Sequence, residues 1–550
     1  MPQSSNPNMP NQKGFLAWIE RTGNALPDPV FLFVYLILGI VVVSALSAAL
    51  GVSETLSPQI LSGMPEAQKV RFGIGADGMV MAQSMLSADN LQRLLVEMPK
   101  TFTHFHPLGM VLTVMLGAGV AERTGLFSTA MRAAVGNAPK YLLTPLVAFI
   151  AMMGNLAADA AYVVLIPLAA LMFAAAGRHP IAGIAAAFAG VSGGFSANLV
   201  MGQLDALLLG ITGEAANILV ADYPVNIAGN WYFIATMLFI YVPLIWLVTD
   251  KIVEPRLGAW DGDPADIEAS ERGVKRTLSE QENRGLRLAG VALLLVVAAW
   301  LALTFGPGTP LVNESACPDN LLAAGSCSFQ ARLTPFYQSL IGGFFILFIA
   351  TAWVYGNAVG TVKNHRDIVR MMAESMRDMG YYLVLVFAAA HFVAMFNWSN
   401  LGLIFAIKGA AAIESSQLPI YAVLGVMVLF TGLLNLFVGS ASAKWAFLAP
   451  VVVPMLMLSG ISPEMATAAY RVGDGATNII TPLMFYFPLV LTFANRWQKD
   501  FGIGSLTATM IPYSIWMLIT GLILTMLWAA LGLPLGGGAT VEFVMPSTAL

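Results

Sequence analysis

Charge is what this chain has least of. Asp, Glu, Lys and Arg make up 11% of its 550 residues, where a soluble protein carries roughly 25%, so a water-soluble globule is excluded. Cysteine is almost absent. Cys317 and Cys327 are the only two, so a disulfide could be no more than one loop staple, and two free thiols are the other reading. The histidines are few, and His104, His106 and His391 have no carboxylate or cysteine at ligand spacing, which leaves no resident metal or cofactor to expect. A nucleophile elbow and an HExxH motif are missing. The stretch Gly439 to Lys444 lacks the second glycine and the Lys-Ser/Thr pair of a phosphate loop. These absences argue against an intramembrane enzyme. No basic block suggests nucleic acid, and the net charge of −4 identifies no partner.

Hydrophobic residues make up 57% of the chain. Runs such as Phe31–Val52, Trp231–Val248, Leu288–Phe305, Ile341–Tyr355 and Ile511–Leu531 approach or reach the roughly 20 residues that cross a hydrocarbon core. The expected fold class is therefore an all-α polytopic membrane protein. The first 28 residues are polar and the apolar run after them is of spanning length, so no cleavable leader is expected.

One pattern occurs twice. From Gly154 the chain reads GNLAADAAYVVLIP, then an apolar stretch, then VSGGFSANLVMGQLD. From Leu434 it reads LNLFVGSASAKWAFLAP, an apolar stretch, and VGDGATNIITP. Asn155 corresponds to Asn435, Pro180 to Pro463 and Asn198 to Asn478. Paired interruptions of lipid-grade sequence, one in each half, point to the binding site of a secondary transporter.

Lys and Arg collect on the cytoplasmic side of short loops. Segments 250–287 and 363–377 are basic and expected inside; 306–333, with Arg332 alone, and 501–550, with none, are expected outside. About nine spans and two re-entrant hairpins satisfy these assignments. Residues 1–28 form a cytoplasmic segment. Residues 29–248 form a first membrane half with hairpin 1 (about 141–176) and a broken span 3 (about 181–210). Residues 249–287 are a cytoplasmic loop. Residues 288–500 form a second half with span 7 (about 380–406), hairpin 2 (about 418–459) and a broken span 8 (about 464–490). Residues 501–550 carry the last span and an external carboxyl terminus. The halves then run in opposite directions, an inverted repeat. Two full crossings per hairpin also fit the charges, but a Gly-rich, polar midpoint argues against lipid exposure there.

Asp159, Asp205, Arg471 and Asp474 lie inside this apolar sequence, where a charge costs at least ~2.5–3.5 kcal/mol and normally faces a cavity or a partner. Arg471 and Asp474, three apart, share a helix face. They form either a structural ion pair or a site in which Arg471 offers its fork to a substrate carboxylate. Asp159 and Asp205 either cap helix starts or couple transport to a proton or sodium ion. The tips Gly439–Trp445 and Ser192–Asn198 combine glycine with hydroxyl and amide groups. Ser196, Asn198, Ser440 and Thr477 are candidates for a sodium site, with Ser442 and Asn478 alongside; hydrogen bonding between packed helices is the alternative. Trp445 stacks on an aromatic substrate or packs. Pro463 and Pro482 end or kink helices.

At these residues the chain resembles the AbgT family of p-aminobenzoyl-glutamate transporters. The resemblance rests on GNLAADAAYVVLIPLAAL, GRHPIAGIAAAFAGVSGGFSANL, GSASAKWAFLAPVVVPM and AYRVGDGATNIITPLM, and extends from about Trp18 to Gly532. It implies a homodimer in the bacterial inner membrane, with nine transmembrane helices and two re-entrant hairpins. It also implies import of p-aminobenzoyl-glutamate or export of sulfonamide antimetabolites, an antibiotic-resistance activity, driven by an ion gradient as in an antiporter using the proton motive force. The coupling ion would be H+, with Na+ as the alternative. Matched onto this chain, the family's functional positions are Asp205, Asn435, Ser442, Trp445, Pro463, Arg471, Asp474 and Pro482. A sodium-coupled dicarboxylate symporter of similar hairpin architecture is the rival within the class.

Overall fold

The computed structural model describes residues 28–545 apart from 59–60, 62–65, 76, 137–138, 158–159, 261–277, 307, 317–331 and 500. Asp159 and the cysteine pair lie outside the described residues. Among the described residues helices account for nearly all regular structure; the strands there are one short ribbon, β1 (Ser53–Thr55) paired antiparallel with β2 (Met79–Met81). The longer helices are α1 (Pro29–Ala49), α2 (Ala88–Thr103), α3 (His106–Arg123), α4 (Leu126–Gly136), α5 (Leu143–Met153), α6 (Ala160–Ala175), α7 (Pro180–Phe188), α8 (Gln203–Ala216) and α9 (Trp231–Val248) in the first half. The second half has α10 (Glu280–Phe305), α11 (Thr334–Val359), α12 (His365–Asp378), α13 (Gly380–Trp398), α14 (Leu401–Ser415), α15 (Ile420–Asn435), α16 (Ala441–Leu458), α17 (Pro463–Asn478), α18 (Phe487–Asn495) and α19 (Ile503–Ala530).

Eight helices among the described residues are long and apolar enough to cross a membrane, or nine if the pair α14 and α15, bent by 120°, is one span. The starts of several follow from simple chemistry. Asp28 accepts the Val30 amide and precedes Pro29 at the head of α1, where a missing N–H costs nothing. Ser279 and Glu282 form a reciprocal capping box at α10.

Both halves contain a helical hairpin followed by an interrupted helix. In the first, α5 and α6 form the hairpin, and α7 passes through a π-turn at Ala189–Gly193 before the chain unwinds and resumes as α8. In the second, α15 and α16 form the hairpin, and α17 stops at Asn478, with α18 resuming at Phe487. The 11 residues of α5 rise about 16 Å, roughly half the hydrocarbon core. Hairpin 1 is tied to the far end of α9 by Arg178. Its Nε donates to both carboxylate oxygens of Glu254 at 3.1 Å and its Nη2 to Asp250 at 2.5 Å. Partial burial pulls the Arg178 pKa down, but the two carboxylates outweigh it and leave the guanidinium held more firmly protonated than usual.

The structure adds detail at three places. The stretch 53–103, ahead of α3, carries the ribbon and α2, an amphipathic helix of 16 residues. The basic segment 363–377 is the amphipathic α12, seated through Ile368, Met371 and Ser375 and ion-paired to Arg123 of α3 through Glu374 and Asp378. Span 7 breaks at Ser399–Asn400, where Asn400 adopts φ +61°, and α14 then runs on to Ser415. The Asn400 amide fills the break by donating to the carbonyls of Phe72 and Met81.

Candidate functional site

The two hairpin tips and the two interrupted helices meet in the interior. Asp205 is the third residue of α8. Its Oδ2 accepts the Gly202 amide at 2.7 Å, and its Oδ1 lies 2.7 Å from Nη2 of Arg471. Cap and ion pair therefore coincide in one carboxylate. α17 is buried along its whole length, and the Arg471 side chain is 1% exposed.

The intrahelical pair of Arg471 with Asp474 does not form. They share a face, but each turns to a different element: Arg471 to Asp205 of the first half, Asp474 to Lys444 of hairpin 2. Lys444 is the functional candidate that sequence reasoning passed over. In the sequence it stands only at the end of a failed phosphate loop, although a lysine in lipid-grade sequence is itself a signal. Its ammonium is bonded to Asp474 Oδ1 and to Asn435 Oδ1. Asn435, fully buried, uses its amide nitrogen toward the Asp474 carbonyl at 2.7 Å, Thr477 Oγ1 at 3.0 Å and Asn478 Oδ1 at 3.1 Å. The hairpin tip is thus stitched to the last two turns of α17.

Trp445 is fully buried and does not offer a free face. It stacks on Tyr470 at 4.4 Å between centroids and donates from Nε1 to Thr212 Oγ1 at 2.9 Å. Tyr470 donates to the Ala441 carbonyl at 2.6 Å. In this conformation the indole packs hairpin 2 against α8 and α17. Trp445→Ala is expected to destabilise by about 3–5 kcal/mol, as for other buried large-to-small changes, with Trp445→Phe keeping most of that stability. Thermal unfolding of both variants checks this; a wild-type transition for Trp445→Ala would remove the packing role.

Asn155, Asn198, Asp205 and Asn478 line a cavity of about 150 Å³ together with Tyr162 and Phe195. The repeat-related asparagines Asn198 and Asn478 thus converge on one space. Asn198 Oδ1 and the hydroxyls of Ser192 and Ser196 are buried without a hydrogen-bond partner, which is costly unless a ligand or water reaches them. Ser440 caps α16 by accepting the Ala443 amide at 3.4 Å, and its hydroxyl lies 3.4 Å from that of Ser442. Thr477 is engaged with the carbonyls of Gly432 and Gly473. Of the four groups expected at a sodium site, Asn198 borders the space just described and Ser440 a different one, beside α1. Pro463 opens α17 behind the cap Ser462, and Pro482 lies in the break before α18.

An interior that joins two hairpins, two interrupted helices and two buried ion pairs within a helical membrane protein is that of a transporter, not an enzyme. The AbgT transporter family matches residues 14–543. The chain belongs to this family. It is 35% identical over 538 residues to the p-aminobenzoyl-glutamate transport protein of Escherichia coli (strain K12), covering 98% of this chain and 99% of that one. Two solved structures are similar. The YdaH transporter of Alcanivorax borkumensis, described as having an unusual topology, is 41% identical, covers 93% of this chain and 100% of its own, and superposes with a TM-score of 0.81. MtrF of Neisseria gonorrhoeae, from a class described as antimetabolite efflux pumps, is 41% identical, covers 96% and 100%, and has a TM-score of 0.85. Family membership speaks against the dicarboxylate symporter reading.

Proposed function

We propose that this protein is a secondary transporter of p-aminobenzoyl-glutamate and chemically related aryl acids and sulfonamides, driven by an ion gradient and working by alternating access. The observation that carries the reading is the pairing of Asp205 with Arg471 across the two halves, beside a cavity lined by asparagines from both. A charge pair between repeat units is a contact that relative motion of those units would make and break. Hairpins 1 and 2 with α7, α8 and α17 form the moving unit in this proposal, and the remaining spans the scaffold. The hairpins are re-entrant and the protein is a homodimer in the inner membrane, with its amino terminus in the cytoplasm and its carboxyl terminus outside. Asp205, Asn435, Ser442, Trp445, Arg471 and Asp474 line or order the pathway. Asn198 and Asn478 lie along it, and Pro463 and Pro482 set the helix ends. Protons are the coupling ion, because the buried carboxylates can carry them without a preformed cation cage.

The test is uptake of labelled p-aminobenzoyl-glutamate into proteoliposomes, with H+ and Na+ gradients imposed separately in each direction. Saturable uptake that follows the H+ gradient and is competed by a sulfonamide is expected. Flux indifferent to both gradients would reject the coupled carrier in favour of passive diffusion.

A further inference from the structure

Lys444 is not satisfied by a simple structural reading. It is a lysine with 2% side-chain exposure facing a carboxylate with none, inside a chain where most of the interior is hydrocarbon. Two of its three ammonium protons are used, on Asp474 Oδ1 and Asn435 Oδ1. The second oxygen of Asp474, Oδ2, is buried with no hydrogen-bond donor. The carboxylate is therefore held on one side only, and a proton is the smallest species that would satisfy the other.

Lys444 also borders a cavity of about 440 Å³ between α1 and the tip of hairpin 2. The walls are apolar and partly aromatic, with Leu32, Leu36, Phe437, Phe447 and Phe485 among them, and Lys444 is the one cation in the lining. Asp28 at the edge is occupied, accepting from the Val30 amide and from the Tyr381 hydroxyl. An apolar chamber with one buried ammonium suits an aromatic acid, its ring against the walls and its carboxylate on the cation.

We propose that Lys444 is the anion-recognition group of the transport cycle, released to the substrate carboxylate when Asp474 takes up a proton. With Asp474 ionised, Lys444 is held in the pair and the site is neutral. When Asp474 Oδ2 takes a proton from water, the ammonium loses its counter-ion. One incoming carboxylate replaces it as the counter-ion of Lys444, and that pair is neutral again. An uncompensated charge at this depth is strongly disfavoured, so proton and anion bind in one step and leave in one step. Coupling of that sign is co-transport, which imports the acid down a proton gradient. The inference rests on the transport reading above and specifies its coupling sign.

The other charged and titratable groups around Asp474 do not provide an equivalent switch. On α17, Tyr470 donates to the Ala441 carbonyl and touches Asp474 Oδ1 at 3.3 Å, while Arg471 turns to Asp205 of α8. Hairpin 2 contributes Lys444 and Asn435, together with the distant, partly exposed Tyr421. From α19 the one titratable side chain is Tyr513, which bonds Thr249. The π-turn at Ala189–Gly193 contributes none. Asp205 differs from Asp474 in facing a guanidinium: its Oδ2 accepts the Gly202 amide, and its Oδ1 lies 2.7 Å from Arg471 Nη2 as an ion pair without a hydrogen bond.

The experiment is calorimetric binding of p-aminobenzoyl-glutamate, and of benzoate as a second probe, to the purified full-length protein at pH 6 to 9 in buffers of different ionisation enthalpy. The wild type is expected to take up about one proton per anion bound, its affinity falling about tenfold per pH unit on the alkaline side. Asp474→Asn should bind independently of pH with no proton uptake. Lys444→Gln and the neutral double variant Lys444→Gln/Asp474→Asn, which leaves no unpaired buried charge, should bind at least tenfold more weakly. Wild-type affinity and proton uptake in Lys444→Gln would overturn the inference while leaving the transport reading intact. Binding of benzoate with no binding of p-aminobenzoyl-glutamate would reject the substrate reading while the anion site stands. Binding of neither probe would reject both.

Discussion

Arg471→Gln is expected to abolish transport and to destabilise the folded protein by about 3–5 kcal/mol, the usual cost of breaking a buried ion pair by removing one partner. The remaining carboxylate, Asp205, would stay buried at the start of α8 with only the Gly202 amide as donor. Asp205→Asn should also abolish transport, with a smaller loss of stability, because an asparagine oxygen can still accept that amide while Arg471 loses its counter-charge. The double variant Asp205→Asn/Arg471→Gln separates structure from function. It removes both charges together, so thermal unfolding in detergent should recover most of the stability lost by Arg471→Gln. Substrate counterflow in proteoliposomes should remain absent, since the contact between the two halves is gone. If counterflow returned with stability, the pair would be a structural staple and the pathway would lie elsewhere.

The sequence made some of this architecture legible and hid other parts, for identifiable reasons. Both hairpins and both interrupted helices were visible because glycine, serine and asparagine stand out within lipid-grade runs, as at Ser192–Asn198 and Gly439–Ser442. The amphipathic helices α2 and α12 were missed because a surface helix has no spanning run; its polar face hides it from hydropathy. The break at Asn400 was missed because a single asparagine in left-handed conformation carries no wider pattern. Partner choice was the least readable feature. Spacing places Arg471 and Asp474 on one face but cannot say that α8 and hairpin 2 each bring an opposite charge nearer than the helix itself does. Trp445 shows the same limit, since both packing and ligand stacking demand an aromatic residue beside a polar tip.

Gly473→Ala is expected to impair transport and stability through a single added methyl group. A Cβ at Gly473 would fall 2.2 Å from both Thr431 Oγ1 and the Val428 carbonyl oxygen, and 2.8 Å from the Gly432 nitrogen. Two of these three contacts are backbone atoms of α15, so no side-chain rotation relieves them. The helices must move apart. Close approach through small residues is how membrane helices gain packing without a hydrophobic drive. Separation here acts on the residue next in sequence, because Asp474 meets Lys444 through its side chain and Asn435 through its carbonyl. Transport should fall more than tenfold and the melting temperature should drop. Gly290→Ala is the matched control: it lies within α10 with no atom near the added carbon, and helix propensity favours alanine by about 1 kcal/mol. Wild-type transport and melting in Gly473→Ala would mean that α15 and α17 can slide without cost, and the tip of hairpin 2 would then be a mobile element independent of α17. A loss confined to Gly473→Ala would instead make the α15–α17 contact the rigid frame that fixes the position of the buried Lys444–Asp474 pair.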